Sequence, residues 1–181
     1  MLNTLQRIAR FIDDLSERTG QVIAWLTLGT VLLTFTVVVL RYGFDSGSIA
    51  MQEAVTYLHA AVFMLGAAYT LKHDGHVRVD IVYRRLSARG QALVNLLGTL
   101  LLLLPVCLYI LISSWEYVAI SWNLREGSQE AGGLNAVFLL KTAIPVMAVL
   151  LMLQGSAIVL HSLLQLLGVA HLAGEAADRE L

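Results

Sequence analysis

Long apolar runs separated by short polar intervals dominate the chain. Four stretches contain no Asp, Glu, Lys or Arg: 19–40, 54–71, 90–115 and 142–174. A hydrocarbon core of about 30 Å is crossed by about 20 helical residues. The first, third and fourth stretches exceed that length, and the second reaches it once residues 50–53 are added. Pro105 and Pro145 fall inside these runs, and membrane helices accommodate proline as a kink. The pattern predicts an all-α integral membrane protein. It has one domain, 1–181, and four transmembrane helices over 20–42, 50–71, 88–120 and 139–168.

The polar intervals carry a second, weaker pattern. Leu5, Ile8, Ile12 and Leu15 recur at helical spacing, with Arg7, Arg10, Asp13, Asp14 and Glu17 elsewhere on the wheel. This predicts an amphipathic helix over 1–18 lying in the membrane interface. The first twenty residues lack the short apolar core and small-residue cleavage site of a signal peptide. In the 72–89 segment, Val77, Ile81 and Val82 fit either a second interfacial helix or, from the alternation in "HVRVDIV", a short extended piece. Residues 169–181 are expected to form a cytoplasmic tail.

Composition agrees with the apolar pattern. Of the 181 residues 57% are hydrophobic and 14% charged, where a soluble domain carries about 25% charged residues. The net charge of −1 gives no basic field for nucleic acid. Cys107, the single cysteine, lies in an apolar run and is expected to pack as a small hydrophobe. Arg7, Arg10, Arg18, Lys72, Arg78, Arg84, Arg85, Arg89 and Arg179 fall on one side of the predicted topology, and only Arg41, Arg125 and Lys141 on the other. The positive-inside bias then places both termini and the 72–89 segment in the cytoplasm.

Candidate chemistry is sparse. His73, Asp74, His76 and Asp80 contain ligand-type side chains, but a metal site needs about four converging ligands with outer-shell support. A turn at Asp74-Gly75, with His76 and Asp80 bonding locally, is the expectation, with no metal bound. His59 and His161 lie within apolar runs and raise a different possibility, a membrane anchor subunit of an oxidoreductase, with or without haem. Their predicted depths are close to opposite membrane faces, too far apart for one iron, so no cofactor is expected. No nucleophile elbow, P-loop, H-E-x-x-H or dinucleotide fingerprint occurs, and an enzyme is not expected. A free-standing structural protein or small exporter is a third class, although no polar cluster at mid-depth offers a solute a site.

Partner-facing features are clearer. Ala60, Ala61, Gly66, Ala67 and Ala68 on the second span, and Gly155 on the fourth, allow close helix approach, within the bundle or against a larger membrane subunit. Arg41 and Glu53 flank the first outer turn and either pair or reach into headgroups. Asp45 in that turn and Arg125, Glu126, Ser128, Glu130 and Lys141 in and beside the second outer loop form a mixed-charge surface suited to transient docking.

The order of these features resembles the small membrane subunit, DctQ type, of tripartite ATP-independent periplasmic (TRAP) transporters, from about residue 22 to 165. Arg41-Tyr42 closes the first helix and Glu53 opens the second. "LGAAYTLKHDGHVRVDIV" supplies Gly66, Ala67, His76, Val77 and Asp80, followed later by Glu126-Gly127-Ser128 and Pro145. Met51-Gln52-Glu53 and "GGLNAVFLLK" depart from the family's usual tryptophan-containing segments. The resemblance implies a non-catalytic scaffold in the bacterial inner membrane. Its partners would be a large membrane subunit that carries an organic acid with sodium and a periplasmic substrate-binding protein. His76 and Asp80, with Glu53, would hold local structure.

Overall fold

A computed structural model describes residues 2–77 and 80–168; the expected 169–181 tail lies outside them. All regular elements among the described residues are helical. They are α1 (Leu2–Gly43), α2 (Ile49–Leu65), α3 (Ala67–Lys72), α4 (Asp80–Tyr83), α5 (Ala88–Gly98), a π-helical segment (Thr99–Leu103), α6 (Leu104–Leu124) and α7 (Val137–Leu166). Four continuous helical stretches are long and apolar enough to span a bilayer: Thr4–Gly43, Ile49–Lys72, Ala88–Leu124 and Val137–Leu166. Each overlaps one of the four predicted spans, and the first begins well before the predicted 20–42. The 44–48 and 125–136 loops share one end of the bundle, here the upper end, and the 73–87 connection lies at the lower end.

Helix α7 is the centre. It packs against α1, α2, α3, α5, the π-helical segment and α6, while α1 also packs along α2 and α3. Its buried residues are mostly small: Ala148, Gly155, Ala157 and Ser162, together with Gln154. The large apolar side chains point outward; Trp25, Phe63, Tyr109 and Trp115 are all more than two-thirds exposed. A soluble protein sorts its residues the other way. Here close backbone approach holds the helices together and the bulky residues meet lipid, as expected where the solvent is itself hydrocarbon.

Local breaks follow from single residues. Gly66 separates α2 from α3, and its N–H bonds to Val62 O at 3.1 Å. A Cβ at Gly66 would lie 2.5 Å from that carbonyl, so the tight turn requires glycine. Pro105 lacks an N–H and crowds the preceding turn. The helix widens just before it, with Leu104 N–H bonding back to Thr99 O, the register of a π-turn. Ser48 and Ser87 cap α2 and α5, accepting from Met51 N and Gly90 N at 3.4 and 3.3 Å.

The N-terminal segment departs from expectation. The predicted interfacial helix 1–18 is not a separate element, because α1 runs unbroken from Leu2 to Gly43. Its buried stripe is Ala9, Ile12, Ser16, Gly20 and Ile23, whereas Ile8 and Leu15 are exposed. Gly20 lies so close to α3 that a Cβ would overlap the Tyr69 side chain. Tertiary packing has chosen the face with small and polar residues over the more apolar one.

The 77–86 segment is described only in part. Residues 78–79 lie outside the described residues, and one helical turn, α4, follows. Asp74 closes α3 in the left-handed region, φ 53°, and Gly75 N–H bonds to Thr70 O at 2.8 Å. His76 Nε2 lies 3.2 Å from Ala67 O; the side chain of Asp80 lies outside the described set.

Candidate functional site

Two carboxylates organise the upper end, and both turn inward. Glu53, the fifth residue of α2, accepts hydrogen bonds from the Ser128 hydroxyl and, at 2.6 Å, from the Leu134 N–H. It thereby clasps both strands of the 125–136 loop. Ser128 N–H bonds to Leu134 O at 2.9 Å, closing that loop on itself. The turn at its tip needs glycine twice. Gly132 has φ +81°, and a Cβ on Gly133 would overlap Ser128 and lie 2.8 Å from Glu53 Oε1.

Glu126 is the second organiser. Lys141 Nζ and the Ser121 hydroxyl both donate to its Oε2, at 2.5 and 2.6 Å. These bonds, Lys141 first, hold the Glu126 carboxyl below its ordinary value. The lysine is further seated over the Tyr117 ring, its Nζ 3.9 Å from the centroid. Arg125 ends α6 in the left-handed region, φ 47°. Its guanidinium lies 5.3 Å from the Trp122 ring centroid and 5.4 Å from that of Phe138, contacts that offset the strain of a non-glycine left-handed residue. Tyr57, one turn below Glu53, has a buried hydroxyl with no hydrogen-bond partner among the described residues.

The predicted docking set therefore divides. Arg41, Asp45, Arg125 and Glu130 are exposed. Glu126, Ser128 and Lys141 are tied into the loop's own support, because each finds an opposite charge or a strong acceptor within the chain. The Arg41–Glu53 pair does not form; the Glu53 carboxylate turns to the 125–136 loop instead.

The predicted partner-packing set divides in the same way. Ala60, Ala61, Gly66 and Ala67 are half-buried, whereas Ala68 is 2% exposed and Gly155 is covered. A Cβ on Gly155 would meet Leu103 Cδ2 at 2.9 Å, so these last two positions serve contacts within this chain. Ala61 lines a shallow apolar groove of about 290 Å³ between α2 and α7.

The lower end holds a network that sequence reading missed. Asp13 on α1 accepts from Gln154 Nε2 at 2.9 Å, and its other oxygen lies 2.8 Å from His161 Nε2. Ser16 donates to Gln154 Oε1 at 2.6 Å. Glu17 accepts from Lys72 at 2.7 Å and lies 2.8 Å from His73. His161 is thus committed to Asp13. His59, about 15 Å down α2 from its start, is exposed beside Phe63. His161 lies about 36 Å along α7, so the two histidines do not converge. Among the described residues no group of three His, Cys, Asp or Glu is placed to hold a metal.

Four apolar spans, with charged side chains tying loops and helix ends within the chain, define a multi-pass helical membrane protein. The DctQ component of tripartite ATP-independent periplasmic transporters matches residues 30–167. The chain belongs to that family, the DctQ-type small membrane components of TRAP transporters. A Haemophilus influenzae protein named as a TRAP transporter small permease is 33% identical over 93 residues, 51% of this chain and 56% of that one. The C4-dicarboxylate TRAP transporter small permease protein DctQ of Vibrio cholerae is 29% identical over 111 residues, 61% and 46% of the respective chains. The chain thus spans about half the length of these relatives. No solved structure matches it.

Proposed function

We propose that this subunit is a static scaffold in the bacterial inner membrane, oriented with both termini in the cytoplasm and the upper loops in the periplasm. It stabilises a large transport subunit and helps to seat a periplasmic substrate-binding protein, in sodium-coupled uptake of an organic acid. Family membership supports the two partners, and the excess of Lys and Arg at the lower end supports the orientation. The organic acid follows the family resemblance and the dicarboxylate in the name of the Vibrio cholerae relative.

The carrying observation is the clasp of Glu53 and Glu126 on the 125–136 loop. A loop held by charged hydrogen bonds presents Arg125 and Glu130 at a fixed place, which lowers the ordering cost of docking. Those exposed charges then act mainly on association rate. Ala60, Ala61, Gly66 and Ala67 offer close approach to a helix of the large subunit.

The test uses the assembled membrane complex and its binding protein. Arg125→Glu should slow association by about tenfold at low salt with little change in thermal stability, read by surface plasmon resonance. Unchanged kinetics would reject the docking surface. Sodium-dependent uptake by liposomes containing this chain alone would reject the scaffold role.

A further inference from the structure

The lower end encloses a hollow of about 540 Å³ walled by α1, α3, α5, the π-helical segment and α7. Thr99 and Ser162 line it at 6% and 4% exposure. No hydrogen bond joins either hydroxyl to another described residue, and neither oxygen is sealed off from the hollow. Both hydroxyls can therefore hydrogen-bond to a group that enters the hollow, as donor or acceptor. The hollow also contains the Asp13 carboxylate, whose two oxygens accept one bond each and keep further acceptor capacity.

We propose that this hollow binds a primary ammonium carried beside a phosphate, the chemistry of an ethanolamine phospholipid headgroup. Asp13 accepts from the ammonium. The Thr99 and Ser162 hydroxyls, with the protons of Lys72 not used by Glu17, donate to phosphate oxygens. A simple anion fits less well, because Glu17 already compensates Lys72. A bare metal cation finds no group of three His, Cys, Asp or Glu ligands among the described residues. Leu71, Leu103 and Ile158 continue the wall in apolar form, and Val94, 48% exposed, borders the opening. Acyl chains would leave along that side.

The full chain, delipidated in mild detergent, is titrated with short-chain phosphatidylethanolamine, short-chain phosphatidylglycerol and soluble glycerophosphoethanolamine, and bound species are counted by native mass spectrometry. One phosphatidylethanolamine should be retained in preference to phosphatidylglycerol. Ser162→Ala and Thr99→Val should each weaken it about fivefold, the loss of one hydrogen bond. Ser113→Ala, on the exposed face of α6, should not. Ser162→Ala removes a single oxygen from a helical position and carries the test if Thr99→Val folds poorly. Competition by glycerophosphoethanolamine supports headgroup recognition, and binding of that compound without the lipid assigns the same site to a soluble source. Equal retention of both lipids, or no change in either variant, would show belt lipid or water alone and overturn the proposal.

Discussion

The upper and lower ends of the bundle use the same material, acidic side chains, to different effect. At the upper end Glu53 and Glu126 reach across to loop backbone, serine and lysine, and the loop closes over them. At the lower end Asp13 and Glu17 reach to side chains on other helices, Gln154, His161, Lys72 and His73, and a hollow remains between them. Carboxylates answered by a short loop produce a closed outer surface. Carboxylates answered by long side chains on separate helices tie those helices at a distance and leave space.

This contrast can be broken one end at a time. Gln154→Leu should have the largest effect. It strips a partner from Asp13 and Ser16 at a position 2% exposed, costing about 2–4 kcal/mol in thermal unfolding in detergent, with exchange in the 125–136 loop unchanged. Gly20→Ala forces α1 away from Tyr69 and should cost about 1–3 kcal/mol by the same measurement. Glu53→Ala should leave the midpoint nearly unaltered but raise amide exchange at Leu134 about tenfold, read by hydrogen–deuterium exchange. A global loss of stability there would mean that the two ends are not independent.

The smallest effect concerns pH. The folded Glu126 carboxyl titrates below its ordinary value because of Lys141 and then Ser121. Its contribution is therefore fully present above the ordinary carboxylate value and is lost as pH falls through the lowered one. Loop protection should persist to mildly acidic pH and fade below it. Lys141→Met should move that loss to higher pH, as followed by exchange in the loop across a pH series.

The spans were legible because hydrocarbon thickness imposes a length that no loop imitates: runs such as 90–115 admit few other readings. The arrangement of the spans was not. Helix α7 is apolar on all sides, so no stripe marks it as the central helix, and its buried face is recognisable only through Ala148, Gly155 and Ala157. Site residues were legible by type, but their neighbours were not. Arg41 looked like the partner of Glu53 because it is near in sequence, whereas the residues that bind Glu53 lie 75 and 81 positions away. Asp13 and His161 are 148 positions apart, and nothing in the periodicity of α1 selects the face that joins them.

The widened turn ahead of Pro105 has a consequence for how this chain can vary. A π-turn holds one residue more than the regular winding requires, and Leu100 and Leu101, within Thr99–Leu103, point outward. Deleting one leucine there would restore ordinary winding while leaving the faces of α5 and α6 in register with α7. The same deletion in the middle of α7 would rotate half of the central rod by about 100° and scramble every contact beyond it. Length variation in the third span is thus tolerable at one place, already prepared by the fold.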